Sequence, residues 1–261
     1  MPEGDTLHRV ADRLRPALAG KRLTRFDAPR LRGERPAPGD TIDEVAARGK
    51  HLLIGFAGGL TLRTHLRMAG SWHLYRTGER WRKPPYLARA VVETDDGWCA
   101  VCFSAPVVET FRERDGPPPA LARLGPDLAG PEPDLDAVVA RIDALAAAGG
   151  EIGDLLLDQR IAAGIGNVYK SEVCFACRID PFTPVAQVPV AERRRLYATA
   201  HRMIRANLGA GPRRTYGAGL AVYRRAGRDC PRCGSVVRRR RQGEQARSTY
   251  WCPGCQMAPV G

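Results

Sequence analysis

Apolar residues recur at Leu7, Val10, Leu14 and Leu18 with polar residues between them, the spacing of one helix face, so a helix is expected over 6–20. Asp5 or Thr6 is placed to cap it, Gly20 to end it, and Pro16 works against its last turn. From residue 21 to about 114 the pattern changes to short β-type runs broken by Gly and Pro: 22–26, 41–46, 51–56, 60–65, 72–75, 88–93, 98–103 and 107–111. So many short strands predict antiparallel sheets packed as a sandwich or barrel-like pair. Gly116-Pro117-Pro118-Pro119 and the Pro-rich stretch 125–133 break the composition and read as a linker. Beyond it the period is helical, with candidates at 136–147, 152–159, 168–177 and 191–208. The last of these carries Leu196, Ala200, Met203 and Ile204 on one face. After Tyr223 no long periodic segment follows, only a basic stretch flanked by paired cysteines.

Charge changes the picture first. The 261 residues hold 41 Lys and Arg against 28 Asp and Glu, a net +13, which calls for a polyanionic partner, most commonly nucleic acid. Lysine stands only at Lys21, Lys50, Lys83 and Lys170, arginine supplying every other Lys or Arg position, so a lysine can be needed for its amine, which marks Lys50. A 44% hydrophobic and 26% charged composition is that of a folded globular chain. The sequence has no apolar run of signal-peptide or membrane-span type, so a cytoplasmic location without a membrane partner is expected.

Eight cysteines without a secretory signal point to thiols or metal ligands. Cys230-x-x-Cys233 and Cys252-x-x-Cys255, with 18 residues between the pairs, have the spacing of a tetrahedral zinc site; a redox thiol pair is the alternative. Four protein ligands leave no open position, so the zinc is expected to be structural. Cys99 and Cys102 fall three apart in a strand, hence on opposite faces, and Cys174 and Cys177 read as small core residues. Between the zinc pairs lie Arg238 to Arg241 and then Arg247, which a hairpin would present at or near its tip; Arg247 can fork onto phosphate oxygens, while most of the run reads as a solvated face. Gly164-Ile165-Gly166-Asn167 lies between two helix candidates, with Asn167 as the natural cap of the second. Such a turn offers free N–H groups to a phosphate or is an ordinary helix connection. At the other end, Met1-Pro2-Glu3 can lose its methionine and leave Pro2 with a free secondary amine, nucleophilic near neutral pH, beside the Glu3 carboxyl. Taken alone, the same residues also read as a solvated terminus.

Together, Met1-Pro2-Glu3-Gly4, Arg48-Gly49-Lys50-His51-Leu52, Leu155-Leu156-Leu157-Asp158-Gln159 through Gly164-Ile165-Gly166-Asn167-Val168-Tyr169, and Tyr250-Trp251-Cys252-Pro253-Gly254-Cys255-Gln256 resemble the Fpg/Nei family of DNA glycosylases and AP lyases, nearly end to end. The resemblance implies an α+β multidomain chain: a catalytic β-sandwich domain with its N-terminal helix (1–115), a linker (116–134), a helix-two-turn-helix domain (135–222) and a four-cysteine zinc-finger hairpin (223–261). It also implies a monomer acting on damaged DNA in the nucleoid, with one structural zinc and no other cofactor. Pro2 would attack C1′ of the damaged nucleoside and Glu3 would protonate the sugar. Lys50, Asn167 and Arg247 would hold phosphates, Lys50 and Arg247 also serving the catalytic step. Gly4 leans to the Nei branch, as does the short segment Tyr216-Gly217-Ala218-Gly219 where the Fpg branch has a long loop, and both favour oxidised pyrimidines. Met68 stands where Fpg has a void-filling methionine, which favours an 8-oxoguanine enzyme of the same fold, and Phe103 to Glu109 lacks the Arg and Phe that complete that set. The nearest likeness is to the second endonuclease VIII-like group of actinobacteria. A zinc-stapled damaged-DNA-binding protein without activity is the reading from another class.

Overall fold

The computed structural model describes residues 2–146 and 149–257, so Met1, the last residue of the 136–147 helix and the final residues of the finger segment lie outside the described residues. The chain divides into two compact units, Met1–Ala122 and Arg123–Gly261, each with its own apolar core.

The first unit begins with α1 (Gly4–Leu18), followed by β1 (Leu23–Asp27), β2 (Ile42–Arg48), β3 (His51–Phe56), β4 (Leu60–His65), β5 (Ser71–Arg76), β6 (Ala88–Thr94), β7 (Trp98–Phe103), β8 (Val107–Arg112) and a single turn, α2 (Pro119–Ala122). All eight expected strands form. They pair antiparallel as two four-stranded sheets, β1-β6-β7-β5 and β2-β3-β4-β8. The alternating residues Leu52, Ile54 and Phe56 of β3 and Ala90 and Val92 of β6 fill the sandwich core, and α1 adds Leu7, Leu14 and Leu18. Each of those leucines is fully buried, which stabilises the fold by about 1.5–3 kcal/mol per side chain. Cys102 enters this core while Cys99 lies in a separate cluster with Tyr75, Val91 and Phe103, opposite faces as the spacing requires.

The helix start differs from the expectation. Glu3, not Asp5 or Thr6, is the N-cap of α1, and it caps through its carbonyl, which accepts from Thr6 N (3.0 Å) and Leu7 N (3.2 Å). Pro16 is held inside the helix, which ends two residues later at Leu18.

The second unit contains α3 (Leu135–Ala146), α4 (Ile152–Leu155), α5 (Asn167–Ala176), α6 (Val190–Ala206) and the hairpin β9 (Arg238–Gln242) and β10 (Arg247–Trp251). The helix expected over 152–159 stops at Leu155. Asp158 turns its carboxylate to Arg160 N (2.9 Å), and the Gln159 amide spans the following turns, donating to Leu157 O (2.8 Å) and Ile165 O (3.0 Å) and accepting from Gly164 N (3.1 Å). Side-chain bonds thus replace the helical ladder and give short helix, two turns, helix. α5 starts one residue earlier than expected, with Gly166 as its cap in place of Asn167. Of the Pro-rich stretch 125–133, Leu128 and Ala129 belong to the helical core with Ile142, Ile152, Tyr169, Leu196 and Ile204.

Candidate functional site

In the first unit the backbone delivers the N-terminal residues as a fixed group. Glu3 is 0% exposed at the positive end of α1, a position that favours a carboxylate, and Pro2 beside it stays half-exposed. Lys50 sits on the tight turn between β2 and β3. Gly49 takes φ +59 at the first central position, a left-handed value that only glycine adopts readily, and Lys50 follows half-exposed.

The neighbours of Lys50 were not evident in the sequence. Register pairs His51 with His65 across β3 and β4, with ring centroids 4.8 Å apart. Burial, His65 and Arg63 push His51 down to about 3, with Lys50 and Arg48 adding to the effect. Burial, then Lys50, Arg63 and Arg67, push His65 down to about 4. Both rings are therefore neutral at pH 7. His65 Nδ1 accepts from Arg67 N at 3.2 Å, so the proton of that ring lies on Nε2. Arg63, 5% exposed, pairs with Glu109 at 2.9 Å in a geometry off-line for a hydrogen bond. The only sequence signal for this cluster was His51 next to Lys50. Met68 stands at the tip of a closed turn, 65% exposed, where Gly70 N donates to Leu66 O (2.9 Å) and Leu66 is buried as the anchor.

The second unit brings Asn167 and the Arg247 strand together. As first residue of α5, Asn167 donates from Nδ2 to Ser248 O of β10 at 2.6 Å, while its Oδ1 is buried with no partner among the described residues. Ser248 is the neighbour of Arg247, whose exposed guanidinium is held by Gln245 Oε1 at 3.0 and 3.2 Å. One turn along α5, Lys170 is 0% exposed and donates to Thr249 Oγ1 (2.6 Å) and Gln242 Oε1 (3.4 Å). Burial pushes its amine down to about 8, against Cys174 and Asp154, which raise it, and with Arg247 lowering it further. Glu172, also buried, accepts from Ala221 N (2.8 Å), Val222 N (2.9 Å), Tyr223 N (2.8 Å) and the Thr215 hydroxyl, fixing the segment that leads into the cysteine-bearing region. Lys170 had a signal, the scarcity of lysine; Glu172 had none.

The four C-terminal cysteines converge as the spacing requires. Their sulfurs all lie within 4.8 Å of one another, with Cys230 to Cys255 at 3.7 Å and Cys233 to Cys252 at 3.5 Å. A tetrahedron with bonds of about 2.3 Å has edges of about 3.8 Å, so the donor set fits a four-thiolate metal ion. Gly234 takes φ +77 after the first pair, and at Gly254 a side chain would collide with Ser235 and Cys233, so glycine shapes both knuckles. Cys99, Cys102, Cys174 and Cys177 form no such cluster among the described residues.

The arginines divide. Arg240 stacks on Phe182 at 3.5 Å and pairs with Glu151, while Arg238, Arg239 and Arg241 are exposed along β9. No helix among the described residues is long and apolar enough to cross a membrane.

Comparison with known proteins accounts for this arrangement. Residues 1–104 match the formamidopyrimidine-DNA glycosylase N-terminal domain and residues 124–215 the formamidopyrimidine-DNA glycosylase H2TH domain. The chain is 43% identical to a probable endonuclease 8 2 of Streptomyces coelicolor, covering 100% of this chain and 95% of that one. It is 40% identical to the DNA-(apurinic or apyrimidinic site) lyase Nei2 of Mycolicibacterium smegmatis, covering 99% and 100%. The crystal structure of MutM (Fpg) from Thermus thermophilus superposes with a TM-score of 0.80 at 30% identity, over 99% of this chain and 100% of that one. The chain belongs to the formamidopyrimidine-DNA glycosylase and endonuclease 8 family of DNA glycosylases and AP lyases.

Proposed function

We propose that the protein removes oxidised pyrimidines from DNA and cleaves the abasic site through a Schiff base on Pro2. The observation that carries this reading is the N-terminus: a half-exposed proline followed by a wholly buried glutamate fixed at the start of α1. With Met1 removed, the Pro2 amine attacks C1′ as the C1′–N bond breaks and the base leaves. Glu3 gives a proton to O4′, the ring opens, and an iminium forms between Pro2 and C1′. The iminium makes the C2′ protons acidic. Loss of one breaks the C3′–O bond, a second elimination breaks the C5′–O bond, and water hydrolyses the iminium to free the amine.

Lys50 supplies the positive charge at the sugar and its phosphate, and the neutral His51 and His65 beside it do not compete with it for the anion. Asn167 and Arg247 grip the backbone from the second unit, and Met68 fills the space left by the displaced nucleotide. Cys230, Cys233, Cys252 and Cys255 hold one zinc ion, which when bound staples the hairpin that carries Arg247. The protein acts as a monomer in the nucleoid, with 1–115 as catalytic domain, 135–222 as helix-two-turn-helix domain and 223–261 as finger.

Lesion choice follows from Gly4, from the short Tyr216 to Gly219 turn in place of a long loop, and from the relatives named endonuclease 8. The exposed Met68 favours a second reading, a preference for 8-oxoguanine. Parallel duplexes with thymine glycol, dihydrothymine or 8-oxoguanine separate the two. Faster excision of the pyrimidines is expected, and faster excision of 8-oxoguanine would overturn the assignment.

A further inference from the structure

The outer face of sheet β1-β6-β7-β5 carries a polar cluster that the reaction above does not use. Ser71, His73 and Tyr75 alternate onto one face of the edge strand β5, and pairing sets Ser71 and Ala88 opposite Phe103, so the starts of β5 and β6 and the end of β7 share one end of the sheet. Trp81 and Leu87, from the segment between β5 and β6, pack on Tyr75, Val91 and Phe103 and bring Lys83 with them. Lys83 Nζ lies 2.8 Å from Ser71 Oγ and 5.9 Å from the centre of the Phe103 ring.

The donors can be assigned in sequence. Arg82 N–H gives its proton to Tyr75 OH (3.1 Å), and in the matching tautomer of His73 the Tyr75 hydroxyl turns its own proton to His73 Nδ1 (3.2 Å). The His73 proton then lies on Nε2 and is donated to Ser71 Oγ (3.1 Å). Ser71 Oγ accepts from His73 and Lys83 together, which leaves its own O–H and two N–H bonds of the Lys83 ammonium unspent among the described residues. Ser71 and Lys83, which carry these three donors 2.8 Å apart, are both half-exposed. The charges acting on His73 are Lys83 and Arg82 from the covering segment and Arg13 from α1, all positive; with burial they push its imidazole below the ordinary range, while Phe103 and Val101 of β7 bring none. A donor-only, cation-only cluster is built for an anion.

Its place selects the anion. Met68 precedes Ser71 by three residues, at most about 10 Å of extended chain. The loop after Phe103 opens at the same end of the sheet, beginning with Ser104 at φ +53. We propose that Ser71, His73 and Lys83 form a phosphate subsite that takes a DNA phosphodiester beside the base step that Met68 enters. The assignment rests on the DNA-repair reading given above.

The test is binding of the full chain to a duplex carrying a tetrahydrofuran abasic analogue, which cannot be cleaved, by fluorescence anisotropy from 50 to 400 mM NaCl. Losing one phosphate contact lowers the slope of log K against log salt by about 0.9 and the affinity by about eightfold at 0.1 M salt relative to 1 M. Lys83→Met is expected to show both changes, Lys83→Arg to keep the wild-type slope, and Ser71→Ala to weaken binding with the slope unchanged. A Lys83→Met slope equal to wild type overturns the subsite, including the case where affinity falls at constant slope because the segment has merely loosened from Phe103. Wild-type protein that fails to prefer the abasic analogue over undamaged duplex would instead refute the repair reading, so the two failures are distinct.

Discussion

Lys170 offers the sharpest physical test of the second unit. Its amine is buried without a direct carboxylate partner among the described residues, and burial lowers its pKa from 10.5 to about 8. A difference of that size is worth roughly 3 kcal/mol, the cost of holding the charged form in the fold below pH 8. Lys170→Met removes the charge and orphans nothing. Thr249 Oγ1 still donates to Gln242 Oε1 (2.7 Å), and Gln242 Nε2 still donates to Glu151 Oε2 and Pro181 O (both 2.8 Å). The variant should therefore be more stable than wild type at pH 7, by about 2–3 kcal/mol, as when well-packed apolar residues replace a buried charge. Between pH 8 and 10.5 the unfolded wild type holds a proton that the folded form lacks, so wild-type stability rises through that window and the gap closes by its upper end. Urea titration followed by the helical circular dichroism signal reads mainly α3, α5 and α6 of this unit, with α1 of the first unit as the smaller contribution. A variant less stable than wild type at pH 7, or a gap constant from pH 8 to 10.5, would refute the reasoning. DNA affinity should fall in the same variant, because Lys170 ties α5, which carries Asn167, to β10, which carries Arg247.

Cys230→Ser should lose zinc and DNA affinity together, measured as metal content against anisotropy, and full zinc occupancy in the variant would contradict the four-thiolate site. His51, with a folded pKa of about 3 against 6.5 unfolded, stays neutral while the unfolded chain takes up a proton as pH falls below 6.5. Wild-type stability should drop from pH 7 to 5, and His51→Gln should remove about 2 kcal/mol of that drop in paired denaturation curves; an equal drop in the variant would refute it.

The fold was legible wherever burial follows a period. Leu52, Ile54 and Phe56 alternate into the core as they alternate in sequence, and Leu7, Leu14 and Leu18 keep the helical face. The four-cysteine cluster was legible because ligand spacing alone sets it. What failed to show was set by side chains reaching across the chain. Gln159 ends α4 early by taking over backbone groups at Leu157, Gly164 and Ile165, although Leu155, Leu156 and Leu157 read as continuing helix. Asn167, a strong capping residue, lies inside α5 with Gly166 as the cap, and its Nδ2 instead reaches Ser248, 81 residues away. The pairing of His51 with His65 and the clamp of Glu172 on residues 215–223 depend on register and tertiary approach, which no local pattern encodes.

The central claim is that the Pro2 amine forms a Schiff base with the sugar. Borohydride reduction during reaction with an abasic-site duplex tests it directly. The wild type is expected to give a covalent protein–DNA complex that Pro2→Gly loses while still binding the duplex, and no complex with the wild type, or undiminished trapping in Pro2→Gly, would contradict the account.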